Sequence, residues 1–341
     1  MNIPVHNLQL YGLLPPSTVL VTGGTGFVGS YVIRDLVREG FKVKALRRKR
    51  VVPFYIPAEI LRDVQWIDGD ILDTYLLDEA MQNADAVIHT AGKVSFQEKD
   101  RNELFNINVE GTANVVNAAL QNNIRRFIHV SSVASLGKRN NGSMVNEEST
   151  WQENKLNTNY AVSKYYGEME VWRGIAEGLN AVIVNPSTIL GYGDWNSSSN
   201  ALFKNAYNGF PWYTNGVNGF VDIEDVSCAI VKLLATNISS ERFILNGDNW
   251  SYRKLFNTIA DSFGKKRPYR RATPLLSAVA WRLEKLRSFF TGKKVILTKE
   301  AAKVALSNTN FDNHKILDAL PGFTFTNLEQ TIKKACVRYA E

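Results

Sequence analysis

Two short segments carry residues whose types and spacing suit redox chemistry on a carbonyl group. Tyr160 and Lys164 lie four residues apart, so on a helix they share one face. A nearby ammonium group lowers the pKa of a phenol and makes it a better proton donor. The run Thr-Gly-Gly-Thr-Gly-Phe-Val-Gly from Thr22 to Gly29 lets the backbone approach a pyrophosphate. Together the segments predict hydride transfer between a dinucleotide and a carbonyl or alcohol.

The assignment of the proton donor rests on this spacing. Of the 13 tyrosines, only Tyr160 is followed by a lysine four residues later. Tyr165 and Tyr166 lie in the same stretch, but Met169 and Glu170 follow them at that distance. Tyr160 is therefore the predicted general acid or base.

The pattern around these residues predicts a doubly wound α/β fold of the Rossmann type. Short apolar segments alternate with segments of helical spacing, which is typical of a parallel sheet with right-handed crossovers. Strands are predicted at 18–22, 41–46, 64–67, 84–89, 126–130 and 180–184. The main helices of this half are predicted at 31–38 and 103–121, and the helix of Tyr160 is predicted to end near 177.

A smaller, mainly helical lobe is expected to follow. Helices are predicted at 201–207, 223–234, 251–263, 275–290, 299–306 and 328–339. We expect an N-terminal arm at 1–17, a dinucleotide-binding domain at 18–186 and a substrate-binding lobe at 187–341, with residues at about 220–246 returning to the Rossmann core. The lobe should lie over the carboxyl ends of the strands, where open α/β sheets bind ligands.

The composition narrows the class of protein. With 45% hydrophobic and 21% charged residues, the composition is ordinary for a soluble globular protein. No apolar run approaches the roughly 20 residues that span a bilayer, and no secretory signal pattern is present. Cys228 and Cys336 are far apart, and no Cys/His cluster has metal-ligand spacing, so we expect a cytoplasmic protein without a metal.

The net charge of +7 has two readings. It fits a nucleic-acid surface or a basic enzyme with an anionic cofactor. No nucleic-acid-binding motif accompanies the charge, so the second reading is favoured and no nucleic-acid partner is expected.

The glycine run and the next strand predict the cofactor. The run fits both G-x-G-x-x-G and T-G-x-x-G-x-x-G. At the end of the second strand, where NAD-binding chains carry an acid for the ribose, this chain has Arg47 and Arg48. A guanidinium suits the 2′-phosphate of NADP, so we expect NADP(H), with NAD as the alternative. After the third strand, Asp70 and Ile71 are candidates for the adenine amino group and ring, although a surface turn explains Asp70 nearly as well.

Three further side chains complete the predicted chemistry. Ser132 ends the fifth strand and would orient the substrate oxygen and stabilise charge on it. Lys164 would lower the pKa of Tyr160 and bind the nicotinamide ribose. Asn108, on the long helix before that strand, would support Lys164 through a water.

The chain resembles the extended short-chain dehydrogenase/reductases, also called the NAD(P)-dependent epimerase/dehydratase superfamily, from Val19 to about Val226. The stretches that carry the resemblance are Thr22 to Gly29, Gly69-Asp70, His89 to Gly92, Asn108 to Thr112, Ser131-Ser132, Tyr160 to Lys164, Asn185 to Ser187, and Phe220 to Val226. The resemblance implies that Ser132, Tyr160 and Lys164 form the catalytic triad. It also implies that Ala91 and Gly92 line the cofactor cleft and that 186–188 lies by the nicotinamide.

The expected contacts can now be stated in full. Cofactor contacts are expected from Thr22, Gly23, Thr25, Gly26, Phe27, Val28, Gly29, Arg47, Arg48, Asp70, Ile71, Thr90, Ala91, Gly92, Tyr160, Lys164, Pro186, Ser187 and Thr188. Substrate contacts are expected from Phe96, Ser132 and Tyr160.

The superfamily contains branches that the motifs separate. Dihydroflavonol reductase-like and 3β-hydroxysteroid dehydrogenase-like members exchange NADP(H) and reduce a ketone or aldehyde, whereas nucleotide-sugar epimerases keep NAD bound. Sugar dehydratases usually place Asp-Glu after the triad hydroxyl, but Val133-Ala134 stand here. Epimerases often carry a basic residue where this chain has Asn218-Gly219. Both departures favour the reductase branch. A non-catalytic NADP-sensing protein is the third alternative, although such relatives typically lose the Tyr or the Lys.

The sequence leaves the roles of some other features undecided. The aromatic residues Trp195, Phe203, Tyr207, Trp212 and Tyr213 suit a pocket wall or, more simply, a core. The basic amphipathic stretch 275–294 suits a membrane surface or, more simply, a helix that packs its apolar stripe on the lobe. Many relatives dimerise through the helices corresponding to 103–121 and 158–177, so a homodimer is one expected assembly.

Overall fold

A seven-stranded sheet forms the centre of the computed structural model, which describes residues 12–137, 144–153, 157–291 and 298–341. The strands of the described residues are β1 (Thr18–Thr22), β2 (Lys42–Arg47), β3 (Val64–Asp68), β4 (Ala86–His89), β5 (Arg126–Val130), β6 (Ala181–Pro186), β7 (Thr188–Leu190), β8 (Trp212–Tyr213), β9 (Val217–Asp222), β10 (Glu241–Leu245), β11 (Asp248–Ser251) and β12 (Arg270–Arg271).

The helices cover both faces of this sheet and build the second half of the chain. They are α1 (Phe27–Arg38), α2 (Ala58–Arg62), α3 (Thr74–Met81), α4 (Arg101–Phe105), α5 (Gly111–Gln121), α6 (Asn159–Ala176), α7 (Ala201–Tyr207), α8 (Ile223–Leu234), α9 (Tyr252–Ser262), α10 (Pro274–Thr291), α11 (Lys299–Leu306), α12 (His314–Ala319) and α13 (Leu328–Ala340). A π-helical segment, Asn106–Glu110, joins α4 to α5.

The order of the strands in the central sheet is β10-β6-β5-β4-β1-β2-β3, and every pair is parallel. The predicted Rossmann-type fold is confirmed. The order reverses between β1 and β4, and ligands bind at such a point, outside the carboxyl ends of the strands. The ends of β1, β4, β5 and β6 therefore position the site.

Helices cover both faces of the sheet. Successive side chains of a strand point to opposite faces, so each strand contributes to both buried cores. Val19 and Val21 of β1 belong to a core with α1, α8 and α12, whereas Leu20 belongs to a core with α3, α5 and α6. Both faces therefore need apolar residues, which explains why Val19, Leu20 and Val21 of β1 form a continuous apolar run rather than an alternating one.

The first half of the chain follows the predicted elements closely. All six predicted strands are present, and β1 and β5 have the predicted bounds. Helix α1 begins at Phe27, four residues earlier than predicted, because Gly29 lies inside its first turn. The sequence pattern does not predict α2, α3 or α12, since helices of five to eight residues show little more than two turns of periodicity.

The second half contains more strands than the predicted helices suggest. Strand β10 joins the central sheet beside β6, and α8 packs under that sheet against α1. A small sheet of order β11-β9-β7 and the pair β12-β8 lie in the rest of this half. A third core joins Phe203, Phe220, Leu255 and Ile332 from α7, β9, α9 and α13.

Burial decides one of the alternatives that the sequence leaves open. Phe203 is a core residue, whereas Trp195 stacks on Tyr339 with ring centroids 5.3 Å apart. The first turns of α10 expose Leu275, Leu276 and Val279, whereas most side chains of its apolar stripe lie outside the described ones, so the packing of that stripe stays a prediction.

Two further expectations lie partly or wholly outside the described residues. The end of the stretch 275–294 falls outside them, as does most of the arm at 1–17. From that arm, the Leu13 amide donates to the carbonyl of Leu234 (3.0 Å). Within the described part of the chain, no helix combines the length and apolarity needed to cross a bilayer.

Candidate active site

The glycine-rich turn between β1 and α1 forms a tight backbone cradle. Gly23 has a φ of +69°, a conformation that favours glycine, and the Gly26 amide donates to its carbonyl (2.9 Å). A side chain on Gly29 would overlap the Gly23 carbonyl and lie 2.7 Å from Thr90 Oγ1. The amino end of α1, with Phe27 and Val28 as its first residues, therefore stays open to an anion beside Gly26.

Thr22 and Thr90 connect this cradle to β4. The Thr90 hydroxyl donates to the carbonyl of Thr22 (2.7 Å), and Thr22 Oγ1 bonds with His89 Nδ1 (2.7 Å). A Cβ atom on Gly23 would lie 2.7 Å from the Cα of Ala91. The predicted residues 22–29 and 90–92 thus come together at the switch point of the sheet, with Thr25 half-buried among them.

The two arginines after β2 differ in what holds them. The Arg47 side chain is only 16% exposed, since Nε donates to Asp68 (2.7 Å) and its guanidinium lies 5.0 Å from the Trp66 ring centroid. The Arg48 side chain is 59% exposed, with Nη1 3.9 Å from Asp70. Arg48 is therefore the more accessible candidate for a 2′-phosphate.

The two residues predicted for the adenine differ in exposure. The Asp70 carboxylate accepts the Leu72 amide (3.0 Å) and stays partly exposed. Ile71 is 4% exposed and packs against Gly111 at the start of α5. Of these two residues, Asp70 offers its side chain and Ile71 offers only its backbone.

Tyr160 and Ser132 meet at the carboxyl edge of β5. Tyr160 lies in the first turn of α6, which begins after Thr158 caps the Ala161 amide (3.0 Å). Ser132 follows β5, and its Oγ accepts the amide of Ala134 (3.2 Å). Burial raises the pKa of Tyr160, and hydrogen bonding with the Ser132 side chain opposes that shift.

The pKa of Tyr160 is raised rather than lowered as expected, because desolvation by burial is the largest influence on it. Lys164 lies one turn along α6, is 7% exposed, and donates from Nζ to the carbonyl of Val130 (3.0 Å). Burial lowers the pKa of Lys164 to about 8, while the Glu168 carboxylate acts to raise it. Desolvation, which the sequence does not reveal, therefore dominates at both residues.

Asn108 is held in the π-helical segment by three hydrogen bonds. Its amide group donates to the Lys93 carbonyl (2.9 Å) and to Ser163 Oγ (2.9 Å), and Oδ1 accepts the Lys93 amide (2.7 Å). A Cβ atom on Gly92 would lie 3.4 Å from Asn108 Oδ1 and 3.9 Å from Lys164 Nζ. Asn108 and Lys164 thus flank Gly92, and the water between them stays a prediction.

The wall of the site beyond Tyr160 combines an aromatic ring with small polar groups. The ring of Phe96 meets that of Tyr160 edge-on, with centroids 5.9 Å apart. After β6 and Pro186, Ser187 is 6% exposed, and its buried hydroxyl lacks a hydrogen-bond partner within the described residues. Thr188 Oγ1 accepts from the side-chain amide of Asn218 (2.9 Å).

These features fit a nicotinamide dinucleotide. The cradle at Gly23, Gly26 and Gly29 has no room for side chains, and the exposed guanidinium of Arg48 lies at one end. At the other end lies the buried Ser187 hydroxyl, for which the described part of the chain offers no partner. The imidazoles of β4 and β5 are buried inside the sheet and are not exposed to the cleft. His89 and His129 stack with centroids 5.2 Å apart, and burial lowers the pKa of His89 to about 3.

The motifs in the sequence do not single out two residues that lie near the site. Ser163 is the side-chain partner of Asn108, and its position one residue before Lys164 was the available signal. Glu168 is 2% exposed one turn beyond Lys164, where four-residue spacing on a helix could have indicated it.

Comparison with known proteins agrees with this geometry. The model of the NAD dependent epimerase/dehydratase family matches residues 19–245. A protein of Synechocystis sp., provisionally named a dihydroflavonol 4-reductase, is 29% identical over 325 residues, which cover 92% of each chain.

Solved structures show the same fold. The crystal structure of gox2253 has a TM-score of 0.79 and 27% identity, and the match covers 95% of this chain and 98% of that one. The UDP-glucose 4-epimerase of Thermus thermophilus, crystallised with NAD, has a TM-score of 0.74 and 19% identity over 95% of this chain and 99% of its own. At that identity the likeness shows the fold alone. The chain belongs to the NAD-dependent epimerase/dehydratase family and is an enzyme of the extended short-chain dehydrogenase/reductase type.

Proposed function

We propose that this enzyme is an NADP(H)-dependent reductase of a small ketone or aldehyde, in which Tyr160 is the general acid. The observation that carries the proposal is the meeting of Tyr160 with Ser132 at the carboxyl edge of β5, one helical turn from the buried Lys164. In the reverse direction the same groups oxidise the alcohol.

The cofactor supplies the hydride when it is bound. The turn 22–29 would hold its pyrophosphate, and Arg48 its 2′-phosphate. Residues 90–92 and 186–188 would line the cleft for the nicotinamide half. Lys164 would donate to the ribose, as its place beside Gly92 allows.

The protein residues handle the proton and the developing charge. Ser132 Oγ accepts the Ala134 amide and hydrogen-bonds Tyr160, and its hydroxyl would turn to donate to the substrate oxygen when a substrate is bound. Tyr160 transfers its phenolic proton to that oxygen as the carbonyl carbon becomes tetrahedral, which yields the alcohol. Its raised pKa keeps the phenol protonated at neutral pH. The Lys164 ammonium stabilises the phenolate, which then recovers a proton from solvent.

Two observations favour reduction over sugar epimerisation. Asn218 stands where epimerases often carry a cation, and its amide donates to Thr188 Oγ1 (2.9 Å) and Tyr252 Oη (3.4 Å), so this wall is neutral. The exposed Arg48 also suits NADP rather than NAD. The reductase name of the Synechocystis relative, which matches over nearly the whole chain, adds support.

Fluorescence titration with NADPH and with NADH tests the cofactor assignment. A panel of aromatic aldehydes, a dihydroflavonol and a ketosteroid then tests turnover with the preferred nucleotide. We expect reversible, preferential NADPH binding, and Tyr160→Phe should bind NADPH normally while losing turnover about 100-fold or more.

Two other outcomes would point elsewhere. NAD recovered from the denatured protein, with no binding of added NADPH, would move the assignment to an epimerase, for which UDP-glucose is the probe. NADPH binding without turnover of any compound would indicate a binding protein.

A further inference from the structure

We propose that Glu168 is a positioning residue, whose buried carboxylate fixes the Ser132 turn and the end of β6 to the helix that carries Tyr160 and Lys164. This inference rests on the proposed function, because it assigns Glu168 a part in presenting the proton-transfer groups. Glu168 itself does not reach the edge where Tyr160 and Ser132 meet.

One carboxylate oxygen of Glu168 collects three donors from two other elements. Oε2 accepts from Ser131 Oγ (2.7 Å) and Ser135 Oγ (2.6 Å), at the two ends of the turn after β5. It also accepts from Asn185 Nδ2 (2.8 Å), near the end of β6. Bonds to a buried carboxylate are shorter and stronger than neutral ones, so α6, β5 and β6 are tied at a single point.

The hydrogen-bond network of Glu168 extends to the backbone of Ser132. Asn185 Nδ2 also donates to the carbonyl of Ser132 (3.1 Å), and the amide of Ser135 donates to the same oxygen (3.0 Å). Ser131 and Ser135 bracket the turn, so its residues cannot rotate without breaking a bond to Glu168. The bonds from Glu168 and Asn185 to this turn therefore fix the backbone of Ser132. They also fix the direction of its Oγ, which carries the proposed substrate contact.

Arg242 explains how the charge of Glu168 is tolerated in the core. Its Nη1 lies 3.1 Å from Glu168 Oε1, which also accepts from Trp172 Nε1 (3.4 Å). The Arg242 guanidinium also donates to the carbonyls of Glu147 and Ser149. A single carboxylate with one cation and four further donors satisfies the condition for burying an ion pair.

The charge of Glu168 acts on Lys164 as well as through its hydrogen bonds. Glu168 raises the pKa of Lys164, against the lowering by burial. The other titratable groups that face Lys164 are His89 and His129 from β4 and β5, and burial lowers the pKa of both imidazoles. Because burial disfavours the charged form of both rings, Glu168 is the charged neighbour that favours the protonated form of Lys164.

The test compares Glu168→Gln with Glu170→Gln, which makes the same change on the same helix. Glu170 pairs with Arg173 (2.9 Å) and lies outside the network. For Glu168→Gln we expect kcat to fall about 10- to 100-fold on the best compound of the panel, with KM and the NADPH dissociation constant within about twofold. Glu170→Gln should match the wild type.

The pH profile separates positioning from general loss of structure. Without the carboxylate the pKa of Lys164 falls, so the basic limb of kcat should move to lower pH in Glu168→Gln. Ser131→Ala, which removes one bond to Glu168 but keeps its charge, should lower kcat without moving that limb. If Glu168→Gln does not fold, the test rests on Ser131→Ala. A kcat of Ser131→Ala equal to that of the wild type would then overturn the proposal.

Amide hydrogen exchange keeps the test independent of turnover. Exchange of the peptide 131–137 should be about tenfold faster in Glu168→Gln than in Glu170→Gln, because the turn loses its anchor. If the wild type reduces no compound of the panel, the proposed function fails while this comparison still tests the anchor. Unchanged exchange, or NADPH affinity that falls as much as kcat, would overturn the role of Glu168.

Discussion

Gly167 on α6 lies directly against the backbone of Asn108, so that a Cβ atom on Gly167 would overlap the Asn108 carbonyl oxygen. The π-helical segment and α6 therefore touch backbone to backbone. This approach sets the depth of α6, and with it the position of Tyr160 and Lys164 above the sheet.

Gly167→Ala should push α6 away from the π-helical segment. We expect the free energy of unfolding to fall by about 1–3 kcal/mol and turnover to fall with it. The added methyl group would meet backbone atoms of Asn108, which cannot move aside as a flexible side chain can. Urea unfolding and steady-state rates measure the two effects. Gly174→Ala, on the same helix, meets the Val116 side chain instead and should cost less. Equal effects of the two variants would contradict this explanation.

Arg48→Ala should weaken NADPH binding about tenfold and leave NADH binding unchanged. The exposed Arg48 guanidinium can turn to a 2′-phosphate, whereas Arg47 is held by Asp68 and Trp66. Fluorescence titration of both nucleotides measures the ratio. Arg62→Ala, an exposed arginine at the end of α2, is the matched control. An unchanged NADPH-to-NADH ratio in Arg48→Ala would remove Arg48 from the cofactor site.

Much of the sheet could be predicted from local sequence. The short strands β1 and β5 are rich in apolar residues and have the predicted bounds. Helix α8 also has the predicted bounds, because Asp222 caps its amino end and its apolar positions repeat regularly. Placing the motifs on strand ends then located the site, since parallel strands end at one edge.

The polar interior could not be predicted in the same way. Glu168 bonds with Ser131, Asn185 and Arg242, which are 37, 17 and 74 residues away in sequence. The direction of the Tyr160 pKa likewise depends on how deeply the folded chain buries the phenol. Both features arise from tertiary contacts. Four-residue spacing could place Glu168 beside Lys164, but it carries no signal for the partners of Glu168 or for the burial of Tyr160.

Phe96→Ala should raise KM for an aromatic aldehyde several-fold, with NADPH affinity unchanged. The Phe96 ring contacts Tyr160 edge-on at 5.9 Å and would form the wall against which a substrate ring packs. Steady-state kinetics with an aromatic and an aliphatic aldehyde separate the effects, because the aliphatic compound should lose less. Phe105→Ala, whose ring lies 6.5 Å from that of Tyr166, controls for the loss of a ring elsewhere. The same loss for both aldehydes would place Phe96 outside the substrate wall.

The buried Lys164 should make the stability of the apoprotein depend on pH in a definite direction. Its pKa is about 8 in the folded chain and near the ordinary 10.5 in the unfolded chain. Between these values the unfolded chain binds more protons, so stability rises with pH. Relative to Lys164→Met, which has no charge to desolvate, the wild type should gain on the order of 2–3 kcal/mol from pH 8 to pH 10.5.

Lys164→Arg provides the control, because a guanidinium stays charged over this range. Its difference in free energy of unfolding from Lys164→Met should stay constant from pH 8 to pH 10.5, whereas that of the wild type should change. Urea unfolding of the three proteins at several pH values measures both differences. A constant difference for the wild type as well would mean that Lys164 keeps its proton throughout, and the basic limb expected for turnover near pH 8 would then need another titrating group.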